Sequence, residues 1–130
     1  MKFNLNDFRK DDELATDGVW VEFGGGAAFK IASLDNPTFT EAFRKKVKPY
    51  NDLKREIPDE DQESIMVDCM AQHIVLDWRN VFDGDDELEY SVDAAKRILS
   101  ELDKVREMVL AESQKVSNFR QEAAKEIEGN

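Results

Sequence analysis

Hydrophobic and polar residues alternate in two short runs near the start of the chain. The odd positions of residues 19–23 are apolar, and Phe29 and Ile31 share one face of residues 28–33. Alternation with a period of two indicates strands, and the three glycines between the runs can supply the backbone angles of a tight turn. We therefore predict a β-hairpin, which must pack on a helix or pair with another strand because an isolated hairpin is only marginally stable in water.

The next apolar residues recur every three or four positions, which indicates helices. Asparagine is a good helix N-cap and proline fits the first turn, so Asn36-Pro37 predicts a helix start, and Pro49 predicts its end. A second helix is predicted over about residues 58–78. Its apolar residues surround most of the circumference, which is typical of a buried helix, and Trp78 should be a packing anchor where that helix ends.

A third helical pattern begins after Ser91 and continues to about residue 126. The predicted fold is thus mainly α with a small N-terminal β-hairpin, an α+β single domain with a long or broken C-terminal helix. Residues 1–17 are expected to form a flexible N-terminal arm, residues 18–112 the helical domain with the hairpin, and residues 113–130 a C-terminal helical extension.

The balance of charge argues against several classes of partner. The 130-residue chain has 18 basic and 29 acidic residues, and its formal net charge is −11. Nucleic acids and anionic membranes attract Lys and Arg, so we expect neither as a partner. The single cysteine, Cys69, allows no internal disulfide, and the sequence shows neither a signal peptide nor an apolar run of ~18 residues, so we expect an intracellular protein.

Two groups of residues could carry nucleotide or metal chemistry, and both fit simpler structural roles better. A phosphate loop needs Lys-Ser or Lys-Thr after its glycines, whereas Ala27 and Ala28 follow residues 24–26. Cys69 and His73 lie four apart on the second predicted helix, but a structural zinc site takes four ligands, and a buried thiol beside a histidine is the simpler interpretation. We therefore expect no cofactor, no metal and no catalytic residues.

Charged residues are concentrated in two places. Residues 83–89 hold five acids, but a calcium-binding EF-hand loop would need Gly and Glu where Leu88 and Ala94 stand, so a solvated turn is predicted. Residues 44–55 hold six bases and one acid. These bases can complement the negative end of the first helix, or they can bind an acidic face of a second copy. The candidate self-association residues are Arg44, Lys45, Lys46 and Lys48.

Three segments, in this order, resemble the tail assembly chaperones of long-tailed bacteriophages. The first is the hairpin from Gly18-Val19-Trp20-Val21 to Phe29-Lys30-Ile31-Ala32, followed by Asn36-Pro37. The second is Val75-Leu76-Asp77-Trp78-Arg79-Asn80-Val81 with the acidic glycine turn behind it. The third is Tyr90-Ser91 with Ala94-Ala95 and Ile98-Leu99 at the start of the next helix. The resemblance covers about residues 18–119.

The resemblance implies a chaperone made in the host cytoplasm during tail morphogenesis. Such proteins coat the tape measure protein, recruit tail tube subunits and leave before the virion is complete. It also implies that no cofactor and no catalytic residues are needed. Two other functions stay open from the sequence: a structural protein of the head–tail connector, which would remain in the virion, and an acidic inhibitor or DNA mimic that acts on a host protein.

The thin apolar stripe of the third helical pattern suggests a surface for a partner. Its residues are too few to bury the helix on all sides, so we expect helix-in-groove packing against another chain. The candidate partner-binding residues are Val105, Val109, Val116 and Phe119. A homo-oligomer stays open as well.

The last three residues fit a further property of the resembled family, many of whose members exist in two lengths through a ribosomal −1 frameshift. The codons of Glu128-Gly129-Asn130 can spell the slippery heptamer G-GGA-AAC. Gly-Asn is also an ordinary way to terminate a helix. We predict a longer product that shares these residues and adds a second domain. A Gly129 codon other than GGA or GGG, or a closed −1 frame, would rule it out.

Overall fold

The computed structural model describes residues 1–120, and helices and strands are interspersed along them. The helices are α1 (Asp12–Asp17), α2 (Pro37–Asp52), α3 (Asp59–His73), α4 (Val92–Glu101) and α5 (Asp103–Ser113). The strands are β1 (Val19–Gly24), β2 (Ala27–Ile31), β3 (Val75–Arg79), β4 (Phe82–Asp83) and β5 (Asp86–Glu87). Leu5–Phe8 forms an N-terminal 3₁₀ turn and Val116–Phe119 a C-terminal 3₁₀ turn. None of the helices in this part of the chain is long and apolar enough to cross a membrane.

The predicted hairpin forms, but it is not a separate N-terminal unit. β1 and β2 pair antiparallel with Val21 opposite Phe29, and β3 adds to the other side of β2 with Trp78 also opposite Phe29. β4 and β5 form a second antiparallel pair after β3. The predicted layout, a mainly α protein with an N-terminal hairpin, was therefore wrong because strands recur between the helices, although the fold is α+β.

The second predicted helix was too long because its last residues belong to β3. α3 ends at His73, and the Ile74 N–H donates to the Met70 carbonyl as the helix closes. The apolar residues at 74–78 fit a buried helix and a buried strand equally well, since a short apolar run does not separate the two. The edge of β2 decides the outcome, because pairing with it satisfies backbone groups of residues 75–79.

The long C-terminal helix was also wrong. Leu102 has an extended backbone (φ −119°, ψ 90°) and separates α4 from α5. Arg106 donates from its guanidinium to the Leu99 carbonyl at 2.8 Å, which satisfies a group at the end of α4 that has no partner within that helix. Residues 121–130, which carry the end of the predicted extension and the frameshift position, lie outside the described residues.

The segments near both ends of the described chain meet each other. Asp11 caps α1 by accepting the Leu14 N–H at 3.0 Å, and its own N–H donates to the Phe119 carbonyl at 2.8 Å. Ala15 of α1 is buried, and its carbonyl accepts the Ser33 N–H at 2.8 Å. Within the segment predicted to be an arm, α1 thus packs on the body of the protein.

The start of α2 is as predicted, and its end is not. The Asn36 side-chain oxygen accepts the Phe39 N–H at 3.0 Å, and its amide donates to the Ser33 carbonyl at 2.6 Å. Pro49 lies inside the helix, which continues to Asp52. A proline this close to a helix end removes only one backbone hydrogen bond, so the last turn can still form.

The core lies between the three-stranded sheet and the helices α3, α4 and α5. Trp78 is the packing anchor that was predicted, but it lies on β3, where its ring is 5.5 Å from that of Phe29 and 5.1 Å from that of Tyr90. The Trp78 Nε1–H donates to the Leu88 carbonyl at 2.7 Å, and the Tyr90 hydroxyl donates to the Val75 carbonyl at 2.8 Å. These two hydrogen bonds hold the segment that follows β3 against the strand.

Candidate protein-binding groove

The four residues proposed to bind a partner do not form one helical stripe. Val105 and Val109 lie on α5, whereas Val116 and Phe119 lie in the C-terminal 3₁₀ turn. Val109 and Phe119 are buried in the core of this chain, and Val105 and Val116 are half-buried. The prediction of one continuous stripe was wrong because α5 ends between Val109 and Val116. In addition, the side chains of Val109 and Phe119 are buried within this chain.

The basic residues proposed for self-association have acidic neighbours within the chain. Arg44 and Glu41 approach to 2.7 Å, Lys48 and Asp52 to 2.6 Å, and Lys46 and Asp68 to 3.6 Å. The hydrogen bond from Arg44 lowers the pKa of the Glu41 carboxyl. Exposed pairs of this kind contribute little to stability. Arg44, Lys45, Lys46 and Lys48 are all exposed, so their contact with a second copy stays a prediction.

The candidate metal and nucleotide residues have structural roles. Cys69 is buried, and this burial raises the pKa of its thiol. Among residues 1–120, no group of three His, Cys, Asp or Glu side chains is placed to hold a metal ion. The glycines at 24–26 form the turn between β1 and β2 with φ of 93°, 62° and 80°, and Asn80 donates to the Gly25 carbonyl at 3.0 Å. The predicted hairpin turn is thereby confirmed.

Three large apolar side chains are exposed near α5: Phe82 on β4, Leu102 between α4 and α5, and Met108 on α5. Phe82 is 53% exposed, Leu102 49% and Met108 47%. They line two adjoining cavities of about 260 and 250 Å³. We call this surface the α5 groove. The residues common to both cavities are Phe29, Val81, Phe82 and Val105.

The local fold keeps these side chains at the surface. Leu102 lies at the break between α4 and α5, and Phe82 opens the small β4–β5 hairpin. The base of that hairpin is fixed because the Leu88 N–H donates to the Val81 carbonyl at 2.8 Å, and Leu88 in turn accepts the bond from the indole of Trp78. Hydrogen bonds through Leu88 therefore fix the hairpin that carries Phe82 to β3.

The segments that form this apolar surface are acidic in sequence. Residues 80–110 contain nine acids and four bases. Asp83, Glu101 and Arg97 line the second cavity, with Arg97 3.7 Å from Asp83, whereas apolar side chains and Asn80 line the first. A one-sided charge balance of this kind creates a negative potential that attracts cationic partners. The groove can therefore accept an apolar segment that carries Lys or Arg beside its anchoring side chains.

Sequence reasoning identified two residues of this groove as partner contacts, Val105 and Val109, and missed the rest. Val105 was proposed as a partner contact, and it lines both cavities. Phe82, just before the predicted acidic turn, was not singled out. Leu102 lies on the helical stripe predicted after Ser91 but was not proposed as a partner contact, and Met108 lies off that stripe. An apolar side chain directly before an acidic turn was the one available signal, since turns favour polar residues.

The chain is similar to one protein family. The family model described as YdaY prophage protein matches residues 34–130, which is 97 of the 130 residues. The matched region contains α4, α5 and the segment after β3, and thus most of the α5 groove. No match was found among curated proteins or solved structures.

Proposed function

The chain belongs to the YdaY prophage protein family, and from this phage origin we propose that it is a tail assembly chaperone. In this proposal it binds the tape measure protein and recruits tail tube subunits in the host cytoplasm, and it is absent from the finished virion. It acts by binding proteins, with no catalytic residue and no cofactor. The resemblance of residues 18–119 to tail assembly chaperones supports the assignment.

The observation that carries the proposal is the α5 groove. Contiguous exposed apolar surface on a soluble domain is typical of a protein-binding site. Phe82, Leu102 and Met108 are exposed together on a strongly acidic part of the chain. A client would insert an apolar segment with flanking Lys or Arg, because apolar contact supplies affinity and opposite charge speeds the encounter.

Co-purification tests the client surface. We expect the chain to co-purify with the tape measure protein of its own prophage when the two are co-expressed. Met108→Glu should reduce the recovered chain at least ~30-fold, which is the size of a hot-spot loss. Ala111→Glu is the matched control, because Ala111 is exposed on the same helix and does not line the groove. Equal recovery with both variants would remove the groove from the proposal.

Purified virions separate the chaperone from the structural alternative. A chaperone is present in the infected or induced cell and missing from finished particles, whereas a head–tail connector protein stays in them. Peptides of this chain at a fixed ratio to the tail tube protein in purified virions would favour the connector. The longer frameshifted product belongs to the chaperone proposal as well, and the codons around Gly129 test it.

A further inference from the structure

The first nine residues expose an unusual amount of apolar surface. Phe3, Leu5 and Phe8 are between 60% and 79% exposed. The rings of Phe3 and Phe8 stack with their centroids 5.1 Å apart, so they present one apolar cluster. Lys2 and Arg9 lie beside this cluster in the sequence and are exposed. We call residues 1–9 the N-terminal segment; it has the composition expected of a segment that binds the α5 groove.

The α5 groove matches this segment in size and in charge. An apolar cavity of roughly 150 Å³ is large enough for a benzene ring, and the groove has two cavities of about 260 and 250 Å³. The two adjoining cavities thus have enough room for the stacked rings of Phe3 and Phe8. Two acids, Asp83 and Glu101, and one base, Arg97, line the groove, and residues 80–110 as a whole hold nine acids and four bases. The N-terminal segment carries Lys2 and Arg9 against the single acid Asp7. Asp7 itself is 3.8 Å from Arg120.

The segment does not fill the groove of its own chain. All residues that line the two cavities come from positions 23–109, with none from the N-terminal segment. The segment lies elsewhere, because its turn at Leu5–Phe8 packs against the turn at Val116–Phe119 and Asp7 is 3.8 Å from Arg120. Directly after the segment, the Asp11 N–H donates to the Phe119 carbonyl. Within residues 1–120, both apolar surfaces are therefore exposed in a single copy.

We propose that two copies of the chain exchange their N-terminal segments, so that Phe3 and Phe8 of each copy occupy the α5 groove of the other. The exchange is reciprocal and closes with two-fold symmetry, which buries both surfaces without leaving a free end to continue the assembly. It goes beyond the proposed function, since it needs no client. One consequence rests on the proposed function: a client that binds the groove has to displace the segment.

Association of the full chain tests the exchange. We expect a reversible dimer in sedimentation velocity over roughly 5–500 μM, a range set by the micromolar affinities of small transient interfaces. A segment variant, Phe3→Glu with Phe8→Glu, and a groove variant, Leu102→Glu with Met108→Glu, should each be monomeric. Both pairs are exposed in the single chain, so the circular dichroism spectrum should not change. Leu53→Glu is the control and should still dimerise, because Leu53 is 65% exposed and lines neither cavity.

Mixing the two variants identifies the partner surfaces. The segment variant retains an intact groove and the groove variant retains an intact segment, so an equimolar mixture should recover a heterodimer with one of the two contacts. A monomeric unaltered chain over the whole range overturns the exchange. Dimers that survive in either variant, or a mixture that stays monomeric, overturn it too. A monomer that still binds the tape measure protein overturns only the exchange, and a dimer that binds no tape measure protein overturns only the chaperone.

Discussion

Trp78→Ala should lower the free energy of unfolding by about 3–5 kcal/mol, the usual cost of truncating a buried Trp in a core. The side chain is buried on β3 between the rings of Phe29 and Tyr90. Its indole N–H also donates a hydrogen bond to the Leu88 carbonyl at 2.7 Å. The substitution therefore creates a cavity and leaves a carbonyl without its partner, and each effect destabilises the native state.

The second tryptophan of the chain provides the matched control. Trp20 lies on the outer side of the sheet, is half-buried, and has the Arg79 guanidinium 4.8 Å from its ring centroid. Trp20→Ala should cost about 1 kcal/mol, since an exposed cation–π contact contributes roughly 0.5–1 kcal/mol. Trp78→Phe separates the two effects at Trp78, because it keeps most of the packing and removes only the indole donor.

Urea unfolding followed by far-ultraviolet circular dichroism measures these changes, because backbone amides dominate this signal and the midpoint does not depend on its amplitude. Trp78→Ala should shift the unfolding midpoint to a clearly lower urea concentration than Trp20→Ala. The slope of the unfolding free energy against urea concentration should not change if the native state stays compact. Coinciding midpoints for the two alanine variants would contradict the position of Trp78 in the core.

The sequence predicted the elements that depend on local chemistry. Asn36-Pro37 at the start of α2, Ser91 at the start of α4 and the glycine turn at 24–26 all lie where the capping and turn preferences put them. β3 could not be predicted in the same way. Val75 and Trp78 fit a buried helix as well as a strand, and only the unpaired edge of β2, which is distant in sequence, favours the strand.

The groove was less predictable than the fold for a related reason. Its surface forms where the break at Leu102 and the hairpin at Phe82 come together. Phe82 belongs to no periodic pattern, and Leu102 continues the helical pattern without indicating that the helix breaks there. A helical pattern identifies the residues that face a core, so it led to Val109 and Phe119, which are buried. A binding surface consists of exposed apolar residues, which a core-facing pattern does not select. Tertiary contacts decide which of these residues lie together.

Phe119→Ala should lower the free energy of unfolding by about 3–5 kcal/mol, as expected for a phenylalanine buried in a core. The Phe119 side chain is 1% exposed. Its backbone carbonyl connects the two ends of the described chain, because it accepts the Asp11 N–H at 2.8 Å. Loss of the ring should therefore destabilise α1 more than the rest of the chain. In amide hydrogen exchange, the N–H groups of Asp11 and Ser33, which bond to Phe119 and Ala15, should lose protection first.

Phe82→Ala is the control that separates a core role from a partner role. Phe82 is 53% exposed in the α5 groove, so its removal should change the stability of the free chain by less than about 0.5 kcal/mol. The two variants should thus have opposite phenotypes: Phe119→Ala weakens the fold, and Phe82→Ala weakens binding to the tape measure protein at unchanged stability. If Phe119→Ala unfolded at the same urea concentration as the unaltered chain and still lost the partner, Phe119 would be a contact residue, as the helical pattern first predicted. Denaturant midpoints and co-purification, measured on both variants, distinguish the two roles.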